Sequence, residues 1–395
     1  MNKVIIPFFL LLSIFFMPPC GKEIRPRPTN YFYTPPKQFD DNIRADALSN
    51  VGIDTNKIVT LTKLILADSF PNIHSLLIVK DNKLVYENYF AGQDQIVGIN
   101  QGYIEHGIND LHDCRSISKS VVSACIGIAI QKGLIKSVDD SVFNYFPDYK
   151  KYNVGNKSKL TIRHLLTMSS GLDWNESVPY TTLKNTEMRM DFSFNPIKLI
   201  LSRDLVHEPG TEWNYNGGGT QILAEIIKRV SGITVDKFAE KYLFLPLGIK
   251  KYAWLTFMFK KSLPLAASGL RLRSRDFAKF GLMYMNDGVL NDSIILNKVW
   301  VQQSLSPLIA RASTKYKNAG YGFQFWTYAD TIGNKIFDIS EAKGNGGQAI
   351  FFCKKLNLMV VTTAGNYNNW SIVNNPHEAL VKYIIPAVSS ITNSN

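Results

Sequence analysis

Residues that commonly bind transition metals are scarce in this chain of 395 residues. It has four cysteines and six histidines, which form no Cys-x-x-Cys or His-x-x-x-His spacing. Zinc sites often use such closely spaced pairs, so we expect neither a metal site nor a cofactor. His106, Asp110, His112 and Asp113 are close in sequence, and we expect them to lie in a solvated loop.

Charge is also scarce, because only 19% of the residues are charged while 45% are hydrophobic. Together with a mean hydropathy close to zero, this composition excludes an intrinsically disordered chain and a polytopic membrane protein. The formal net charge of +12 would by itself favour nucleic acid as a partner. No basic run alternates with aromatic residues, however, so we expect no nucleic-acid binding.

An apolar run typical of an export signal occupies residues 4–17, behind the basic Lys3. The run is shorter than the roughly 20 residues that a transmembrane helix needs. Two prolines and Cys20 follow, which predicts a bacterial lipoprotein signal over residues 1–20 with the lipid on Cys20. A cleaved secretory signal or an uncleaved anchor is the alternative. We expect an exported protein, in the periplasm or at the cell surface, that contacts the membrane through a lipid anchor.

The remaining cysteines are Cys114, Cys125 and Cys353. Cys125 lies in an apolar segment that predicts a helix, and Cys353 lies in one that predicts a strand. We therefore expect both to be buried as small hydrophobic residues. A disulfide between Cys114 and Cys353 is compatible with the sequence, which does not decide whether it forms.

Hydrophobic periodicity gives the order of the elements. Four prolines within residues 21–45 indicate a tether. The predicted helices cover residues 54–69, 116–131, 161–168, 196–202, 221–230, 235–243, 275–285, 297–303 and 376–387. The predicted strands cover residues 75–80, 83–90, 321–328, 335–340, 349–354 and 358–363. This order predicts an α+β fold, in which segments from both ends of the chain share an antiparallel sheet flanked by helices.

Ser116 and Lys119 form the first candidate catalytic motif, a Ser-x-x-Lys sequence at the start of an apolar helix. Residues three apart on a helix share a face, so the two side chains are within reach of each other. A serine hydroxyl needs a neighbouring base to act as a nucleophile, and a lysine serves as that base when it is desolvated. On its own, the motif is equally compatible with an ordinary helix N-cap.

Tyr215 is the second candidate catalytic residue. It stands in the polar, glycine-rich segment 209–218, between a Pro-Gly turn and a predicted helix. A phenol beside a lysine ammonium can have a depressed pKa and act as a general acid or base. A packing tyrosine with a satisfied hydroxyl is the alternative.

The third candidate motif is rich in glycine and directly precedes a predicted strand. Glycines at a strand edge let a substrate approach the backbone closely, so Asn345, Gly346 and Gly347 are candidate substrate-binding residues. The backbone N–H groups of Ser116 and Gln348 are candidates for an oxyanion hole. A simple turn is the alternative.

In their order and context the three motifs resemble the penicillin-recognising serine enzymes. In detail the chain is similar to the class C β-lactamase-like family, which includes esterases and nylon-oligomer hydrolases. The resemblance runs from about residue 72 to residue 366 and includes the stretches 115–120, 127–129, 160–172, 269–272 and 344–348. It implies that Ser116 is the nucleophile, that Lys119 and Tyr215 transfer protons, and that the N–H groups of Ser116 and Gln348 form the oxyanion hole.

The resemblance also implies a β-lactamase/transpeptidase-like fold in a single catalytic domain over residues 46–389. We expect an α/β lobe over about 46–111 and 311–389 and a mostly helical lobe over about 112–310, with a cleft between them. The family pattern is incomplete at two positions. The Tyr-x-Asn motif ends here in Gly217, without an amide, and the Lys-Thr-Gly motif begins here with Asn345, without a cation.

Both departures argue against efficient β-lactam hydrolysis and leave the acyl-transfer groups in place. No carboxylate can be assigned as a base for deacylation, so that step would fall to Tyr215 or Lys119. The resemblance predicts a serine hydrolase that acts through an acyl-enzyme on a small-molecule or peptide-like ester or amide. One alternative is a β-lactamase or D-Ala-D-Ala carboxypeptidase-like enzyme, and another is a non-catalytic binding lipoprotein with this fold.

Overall fold

Strands from both ends of the chain lie side by side in the computed structural model, which describes residues 30–388. The expected signal and residues 21–29 of the expected tether lie outside the described residues. The strands are β1 (Arg44–Ala45), β2 (Ile73–Lys80), β3 (Lys83–Tyr89), β4 (Gly92–Ile96), β5 (Ile99–Ile104), β6 (His112–Asp113), β7 (Ala253–Trp254), β8 (Thr256–Phe257), β9 (Lys260–Pro264), β10 (Leu270–Leu272), β11 (Val289–Leu290), β12 (Ser293–Ile294), β13 (Ile309–Ala310), β14 (Lys317–Tyr321), β15 (Trp326–Ile332), β16 (Lys335–Gly344), β17 (Gln348–Cys353) and β18 (Leu358–Ala364). The helices are α1 (Thr55–Leu66), α2 (Ile117–Gln131), α3 (Ile162–Leu166), α4 (Thr186–Asp191), α5 (Pro196–Leu201), α6 (Gly217–Ser231), α7 (Val235–Ala239), α8 (Ser274–Met285), α9 (Lys298–Ser304), α10 (Asn375–Ala379) and α11 (Ile385–Ala387).

The main sheet has nine strands in the order β1-β3-β2-β18-β17-β16-β15-β14-β13. The short β1 runs parallel to β3, and the other neighbouring strands of this sheet are antiparallel. In its centre, β2 from the first part of the chain pairs with β18 from the last part. The expected α+β class, with a sheet shared by the two ends of the chain, is therefore confirmed.

Local sequence signals explain the first elements. The side chain of Asp54 accepts a hydrogen bond from the backbone N–H of Asn56 at 2.9 Å, which starts α1. Between β2 and β3, Asp81 and Asn82 have φ angles of +51° and +63°. A two-residue hairpin turn needs this left-handed conformation, which Asn and Asp tolerate better than most residues. The helix and the hairpin predicted here are both present.

Alternation of side chains along the strands divides the hydrophobic core in two. Leu77 and Val361 point into a first core that contains α2, whereas Ile78 and Val360 point into a second core with α1 and the C-terminal helices. Helix α2 is buried on nearly every side and packs against α6, α7 and β16. A helix that is apolar on nearly every side must lie inside the protein. Lys119 belongs to this helix and is therefore buried with it.

One predicted strand is divided in the structure. We expected a continuous strand over residues 321–328, but β14 ends and β15 begins within that range. The backbone N–H of Gly322 donates to the carbonyl of Phe325 at 2.9 Å, and Gln324 has a φ of +67°. The side chain of Gln324 also donates to the carbonyl of Leu165 at 2.9 Å. Contacts with a distant helix therefore set this turn.

The cysteines at positions 114, 125 and 353 are buried and free. Cys114 belongs to the first core, together with Cys125, whereas Cys353 belongs to the second. The disulfide that the sequence left undecided is therefore not formed. Burial raises the pKa of all three thiols, which behave as small hydrophobic residues as expected.

Two segments that we expected to be exposed contact the folded body. In the described part of the expected tether, the hydroxyl of Tyr33 donates to a carbonyl of β3 at 2.8 Å. The expectation of a solvated loop is wrong for His112 and Asp113, which are buried in β6, and His106 is half-buried. Asp110 is exposed as expected.

Candidate active site

Ser116 lies at the junction between strand β6 and helix α2. Just before it, Arg115 has a φ of +48°, which residues with a side chain rarely adopt. Asp113 forms ion pairs with Arg115 and with Arg271 of the neighbouring β10, at N–O distances of 3.3 and 2.9 Å. Strained backbone of this kind is common at functional sites. Here it makes a sharp turn that brings Ser116 to the start of α2.

Lys119 lies one helical turn after Ser116, as the motif predicts. Its Nζ is 3.1 Å from the Oγ of Ser116 and 3.0 Å from the carbonyl oxygen of Ala267. Only 1% of the lysine is exposed. A buried amine in contact with a serine hydroxyl is the arrangement in which lysine can take up the serine proton.

Tyr215 completes the predicted trio. It lies directly before α6, whose first turn is capped by Asn216 through a 3.0 Å hydrogen bond to Gly219. The hydroxyl of Tyr215 hydrogen-bonds to Ser116, and its ring lies 5.1 Å from Nζ of Lys119. Burial, together with nearby negative charge, raises the pKa of Tyr215 well above its ordinary value. The expected depression is therefore wrong, and Tyr215 is a neutral phenol that can donate a proton.

Three acidic residues, the buried Glu187 and the half-buried Glu176 and Asp191, interact with Lys119, and the sequence analysis did not find them. Glu187 in α4 has its Oε2 3.8 Å from Nζ of Lys119 and is 3% exposed. It hydrogen-bonds to Glu176, and Asp191 lies in the same group of interacting charges. Burial, reinforced by the charge of Glu187, raises the pKa of Glu176 and of Asp191 well above their ordinary values. The surroundings of Glu176 and Asp191 therefore favour the protonated form of each carboxyl group.

The carboxyl group of Glu176 also connects its loop to the active site. It accepts hydrogen bonds from Nε1 of Trp174 at 2.5 Å and from the hydroxyl of Tyr180 at 2.9 Å. It further accepts the backbone N–H of Gly217, at the start of α6, at 2.5 Å. The loop is thereby fixed two residues from Tyr215.

The candidate substrate-binding segment forms a tight turn between β16 and β17. Gly346 and Gly347 have φ angles of +101° and +97°, and the carbonyl of Gly347 accepts a hydrogen bond from Thr362 at 2.9 Å. Of the three candidates, Asn345 lines the cavity beside Ser116. Gly346 and Gly347 lie behind it.

The side chain of Gln348 is buried and holds the start of β17 against the end of β18. Its Nε2 donates to the carbonyl of Ala364 at 2.6 Å, and its Oε1 accepts the N–H of the same residue at 3.0 Å. A Cβ at Gly344, on the paired strand, would lie 2.4 Å from the carbonyl oxygen of Cys114. Glycine at this position therefore lets β16 approach the segment that carries Ser116.

The Beta-lactamase family model matches residues 74–380 of this chain. The chain belongs to the Beta-lactamase family. It is 24% identical over 274 residues to the 6-aminohexanoate-dimer hydrolase of Paenarthrobacter ureafaciens, covering 66% of this chain and 65% of that protein. It is 25% identical over 240 residues to a putative D-alanyl-D-alanine carboxypeptidase of Salmonella typhimurium, covering 57% and 54%. The chain thus spans about half to two thirds of the length of these relatives.

Solved structures share the Beta-lactamase family fold. A putative 6-aminohexanoate-dimer hydrolase from Bacillus anthracis superimposes with a TM-score of 0.66 at 18% identity, over 83% of this chain and 82% of that one. EstCE1, a hydrolase with promiscuous acyltransferase activity, gives a TM-score of 0.63 at 15% identity, over 82% and 98%. The expected β-lactamase/transpeptidase-like fold is confirmed.

The departure from the family pattern at Gly217 has a steric cause. A Cβ at this position would lie 2.6 Å from Oε2 of Glu187 and 3.1 Å from Oε1 of Glu176. The two carboxyl groups therefore occupy the space that the amide of a Tyr-x-Asn motif would need. In this member of the Beta-lactamase family, an acidic pair replaces a neutral amide beside the candidate catalytic residues.

A cavity of about 600 Å³ opens in front of Ser116. Its walls are mainly aromatic, formed by Tyr180, Trp213, Tyr316, Trp326, Tyr328 and Trp370. Ligand sites are typically of this size and combine apolar walls with a few polar groups. Here those polar groups include Glu176 and the hydroxyl of Ser116 itself.

The cavity also contains two cations that the sequence analysis missed. The guanidinium of Arg311 lies 4.8 Å from the ring centre of Trp326, and its Nε has no hydrogen-bond partner in the described part of the chain. Nζ of Lys343 donates to Asn374 at 2.9 Å and lies 3.9 Å from Glu341. The cation that the family motif would place at position 345 is absent, but positive charge is present elsewhere in the cavity.

Proposed function

We propose that this chain is a serine hydrolase that cleaves an ester or amide through an acyl-enzyme on Ser116. One observation carries the proposal, namely the 3.1 Å contact between Nζ of Lys119 and Oγ of Ser116 at the floor of the cavity. A serine that packs only structurally does not need a buried lysine and a tyrosine hydroxyl at its own hydroxyl. Membership of the Beta-lactamase family supports the same assignment.

Acylation follows from these contacts. Oγ of Ser116 attacks the substrate carbonyl carbon while Lys119 accepts the hydroxyl proton. The C–O or C–N bond to the leaving group then breaks, and the neutral hydroxyl of Tyr215 supplies the proton that the leaving group needs. Tyr215 regains a proton from Lys119, so both residues return to their initial states. The N–H groups of Ser116 and Gln348 are the proposed stabilisers of the oxyanion.

Deacylation reverses the proton path with water as the nucleophile. The sequence offered no carboxylate as the base that activates water for deacylation. Glu176 lines the cavity and is a structural candidate for this base. Its raised pKa favours the protonated form, however, and a protonated carboxyl group does not accept a proton from water. We assign activation of the water to the Lys119 and Tyr215 pair.

Labelling with a fluorophosphonate probe tests the nucleophile. We expect mass spectrometry to find one adduct on the peptide that contains Ser116, and Ser116→Ala to lose both the label and the hydrolysis of a nitrophenyl ester. Ser177→Ala is the matched control, because Ser177 lines the same cavity and is expected to keep both. An adduct on another serine, with Ser116 unmodified, would show that the nucleophile is misassigned.

A substrate with a free carboxylate, as in a D-Ala-D-Ala carboxypeptidase-like enzyme, is the second candidate. Arg311 favours it, because Arg311 lines the cavity and its Nε is buried without a hydrogen-bond partner among the described residues. Comparing kcat/KM for an acyl-D-Ala-D-Ala peptide and for a neutral ester, in wild type and Arg311→Ala, separates the two candidates. Equal loss on both substrates would exclude a carboxylate-specific role for Arg311.

A further inference from the structure

A cluster of imidazole and carboxylate groups lies beside β6, the strand that leads to Ser116. His74 comes from β2, Asp94 from β4, His106 from the segment after β5 and His112 from β6. One potential ligand atom from each of His74, Asp94 and His106 lies within 4.8 Å of the other two. None of these four residues lines the cavity in front of Ser116.

We propose that His74, His106 and Asp94 bind a zinc ion at a site separate from the catalytic trio. Two imidazoles and one carboxylate form a donor set that suits zinc, which prefers nitrogen with oxygen or sulfur ligands in tetrahedral geometry. The three protein ligands leave a fourth position. The proposal does not depend on the hydrolase activity.

Hydrogen bonds orient His74 for this role. Nδ1 of His112 lies 3.3 Å from the carbonyl oxygen of Asp113, and Nε2 of His112 lies 2.8 Å from Nδ1 of His74. Because a carbonyl only accepts, both contacts are satisfied when the proton of His112 is on Nδ1 and its Nε2 accepts from Nδ1–H of His74, and this is the pair of tautomers that metal binding requires. Nε2 of His74 then carries a lone pair. Metal-binding histidines are usually oriented by such a bond from the second ring nitrogen.

That lone pair has no donor to satisfy it. His74 is fully buried, and its Nε2 has no hydrogen-bond partner among the described residues. The nearby backbone carbonyl of Gln93 cannot donate, and it already accepts from Nδ2 of Asn72 at 2.9 Å. A buried nitrogen left unpaired costs free energy. Binding of a metal ion removes that cost.

His106 provides a second ring nitrogen, Nε2, that is buried and lacks a hydrogen-bond partner among the described residues. Its ring stacks on His74 with the ring centres 3.9 Å apart. Two unpaired imidazole nitrogens therefore lie close to the carboxylate of Asp94, and one metal ion can satisfy both of them.

Space for the ion depends on Gly92. A Cβ at this position would lie 2.7 Å from Nε2 of His74, so any other residue would crowd the nitrogen. Ligand atoms about 2.0–2.1 Å from a tetrahedral zinc are roughly 3.4 Å apart. The atoms that now lie within 4.8 Å of one another would close by roughly 1.4 Å at most. Because His106 is half-buried and follows the end of β5, it can make that movement.

The experiment measures zinc on the full-length protein after dialysis against metal-free buffer. We expect about one zinc per chain by elemental mass spectrometry, and a melting temperature that rises with Zn²⁺ and falls with a chelator. In competition with a chromophoric chelator, His106→Ala and Asp94→Asn should each weaken zinc binding by about 100-fold or more. His112→Gln removes only an orienting bond and should weaken it by roughly 10- to 100-fold.

His207→Ala is the matched control. His207 is an exposed histidine that pairs with Glu212 at 3.1 Å, away from the cluster, and its loss should leave the zinc affinity unchanged. Circular dichroism of the metal-free variants verifies that each is folded. Absence of zinc binding in the wild type, or equal affinity in wild type, His106→Ala and Asp94→Asn, would overturn the proposal.

Discussion

Lys119 has neighbours that favour opposite protonation states. Burial in the first core favours the neutral amine, which is the form that can accept the proton of Ser116. The carboxylate of Glu187, 3.8 Å away, favours the ammonium form. Burial and the charge of Glu187 raise the pKa of the neighbouring Glu176. At the residue scale, we therefore expect Glu187 to influence proton transfer at Lys119.

Replacing Glu187 by Gln should shift the acidic limb of the pH profile of kcat/KM. The limb should move to lower pH by roughly one unit or more, because an opposite charge within about 4–6 Å of the lysine is removed. The measurement is kcat/KM for a nitrophenyl ester between pH 5 and pH 9.

Asp191→Asn is the control for that shift. Asp191 interacts with the same cluster, but its raised pKa favours the uncharged carboxyl group, so its replacement should change the charge near Lys119 less than Glu187→Gln does. We expect the profile of this variant to coincide with that of the wild type. If the acidic limb of kcat/KM moved equally in both variants, packing around Lys119, and not charge, would determine its position.

Tyr215→Phe should lower kcat by roughly 100-fold or more, the usual scale for loss of a general acid or base. Lys119→Ala should lower it at least as much. The double variant should be little worse than the worse single one, because residues that act as a unit are not additive. The measurement is kcat for a nitrophenyl ester in all four proteins. Near-normal turnover in Tyr215→Phe would exclude the proposed role of its hydroxyl, and strict additivity would exclude joint action.

The sequence identified the residues with a recognisable motif and missed those without one. Ser116, Lys119 and Tyr215 were predicted, and the structure brings them together. Glu176 and Glu187 could not be predicted, because they come from a segment without periodicity whose inward direction depends on packing. The missing side chain at Gly217 was the available signal, since it implied that another group fills that space.

At the scale of elements, the loop before α4 depends on the protonated carboxyl of Glu176. Its folded-state pKa is raised well above the ordinary value of 4.5. A raised pKa means that the protonated form stabilises the fold, so this contribution is complete below about pH 4.5 and is lost as pH rises through the folded-state pKa. The wild type should therefore lose stability on the alkaline side.

Glu176→Gln should lose less stability than the wild type as pH rises. As pH rises, the unfolding free energy of the variant should increase relative to that of the wild type by up to about 1.4 kcal/mol per pH unit. This is the effect of one proton. The measurement is urea unfolding of both proteins from pH 5 to pH 9. Glu212→Gln, at an exposed carboxylate outside the cavity, should follow the wild-type curve. Parallel curves for wild type and Glu176→Gln would refute the protonated state.

Elements were predictable where local signals and burial agree. Helix α1, the hairpin of β2 and β3, and the apolar helix α2 appear where the sequence placed them. Helix α6 begins at Gly217 instead of residue 221, because Asn216 caps it and three glycines form its first turn. The strand predicted over 321–328 is interrupted at Gln324, whose side chain bonds to a distant helix. Such long-range contacts are not visible in a local pattern.

At the scale of the whole molecule, the histidine cluster is likewise formed by long-range contacts that a local sequence pattern does not reveal. His74 and His106 are 32 residues apart and come together only because β2 lies in the centre of the sheet, next to the hairpin of β4 and β5. A search for closely spaced ligands cannot find such a site. The pairing of β2 with β18 likewise joins the two ends of the described chain. We therefore expect both ends to be needed for folding.

The location of the molecule is a proposal that rests on its first twenty residues. No helix within residues 30–388 combines the length and apolarity needed to cross a bilayer. The apolar run at residues 4–17 and Cys20 are the features that predict attachment to a membrane. We propose that the chain is a lipoprotein in the periplasm or at the cell surface, anchored by lipid on Cys20.

Expressed in a bacterium, the wild type should partition into detergent and incorporate labelled fatty acid. Cys20→Ser should lose the label, because the thiol that carries the lipid is gone. Cys114→Ser is the control, since Cys114 is fully buried in the first core and cannot be acylated in the folded protein. One acyl chain gives only marginal membrane binding, so stable partitioning requires the additional chains of a lipoprotein anchor. Equal labelling of wild type and Cys20→Ser would place the lipid elsewhere. An unlabelled but membrane-bound wild type would instead favour an uncleaved apolar anchor.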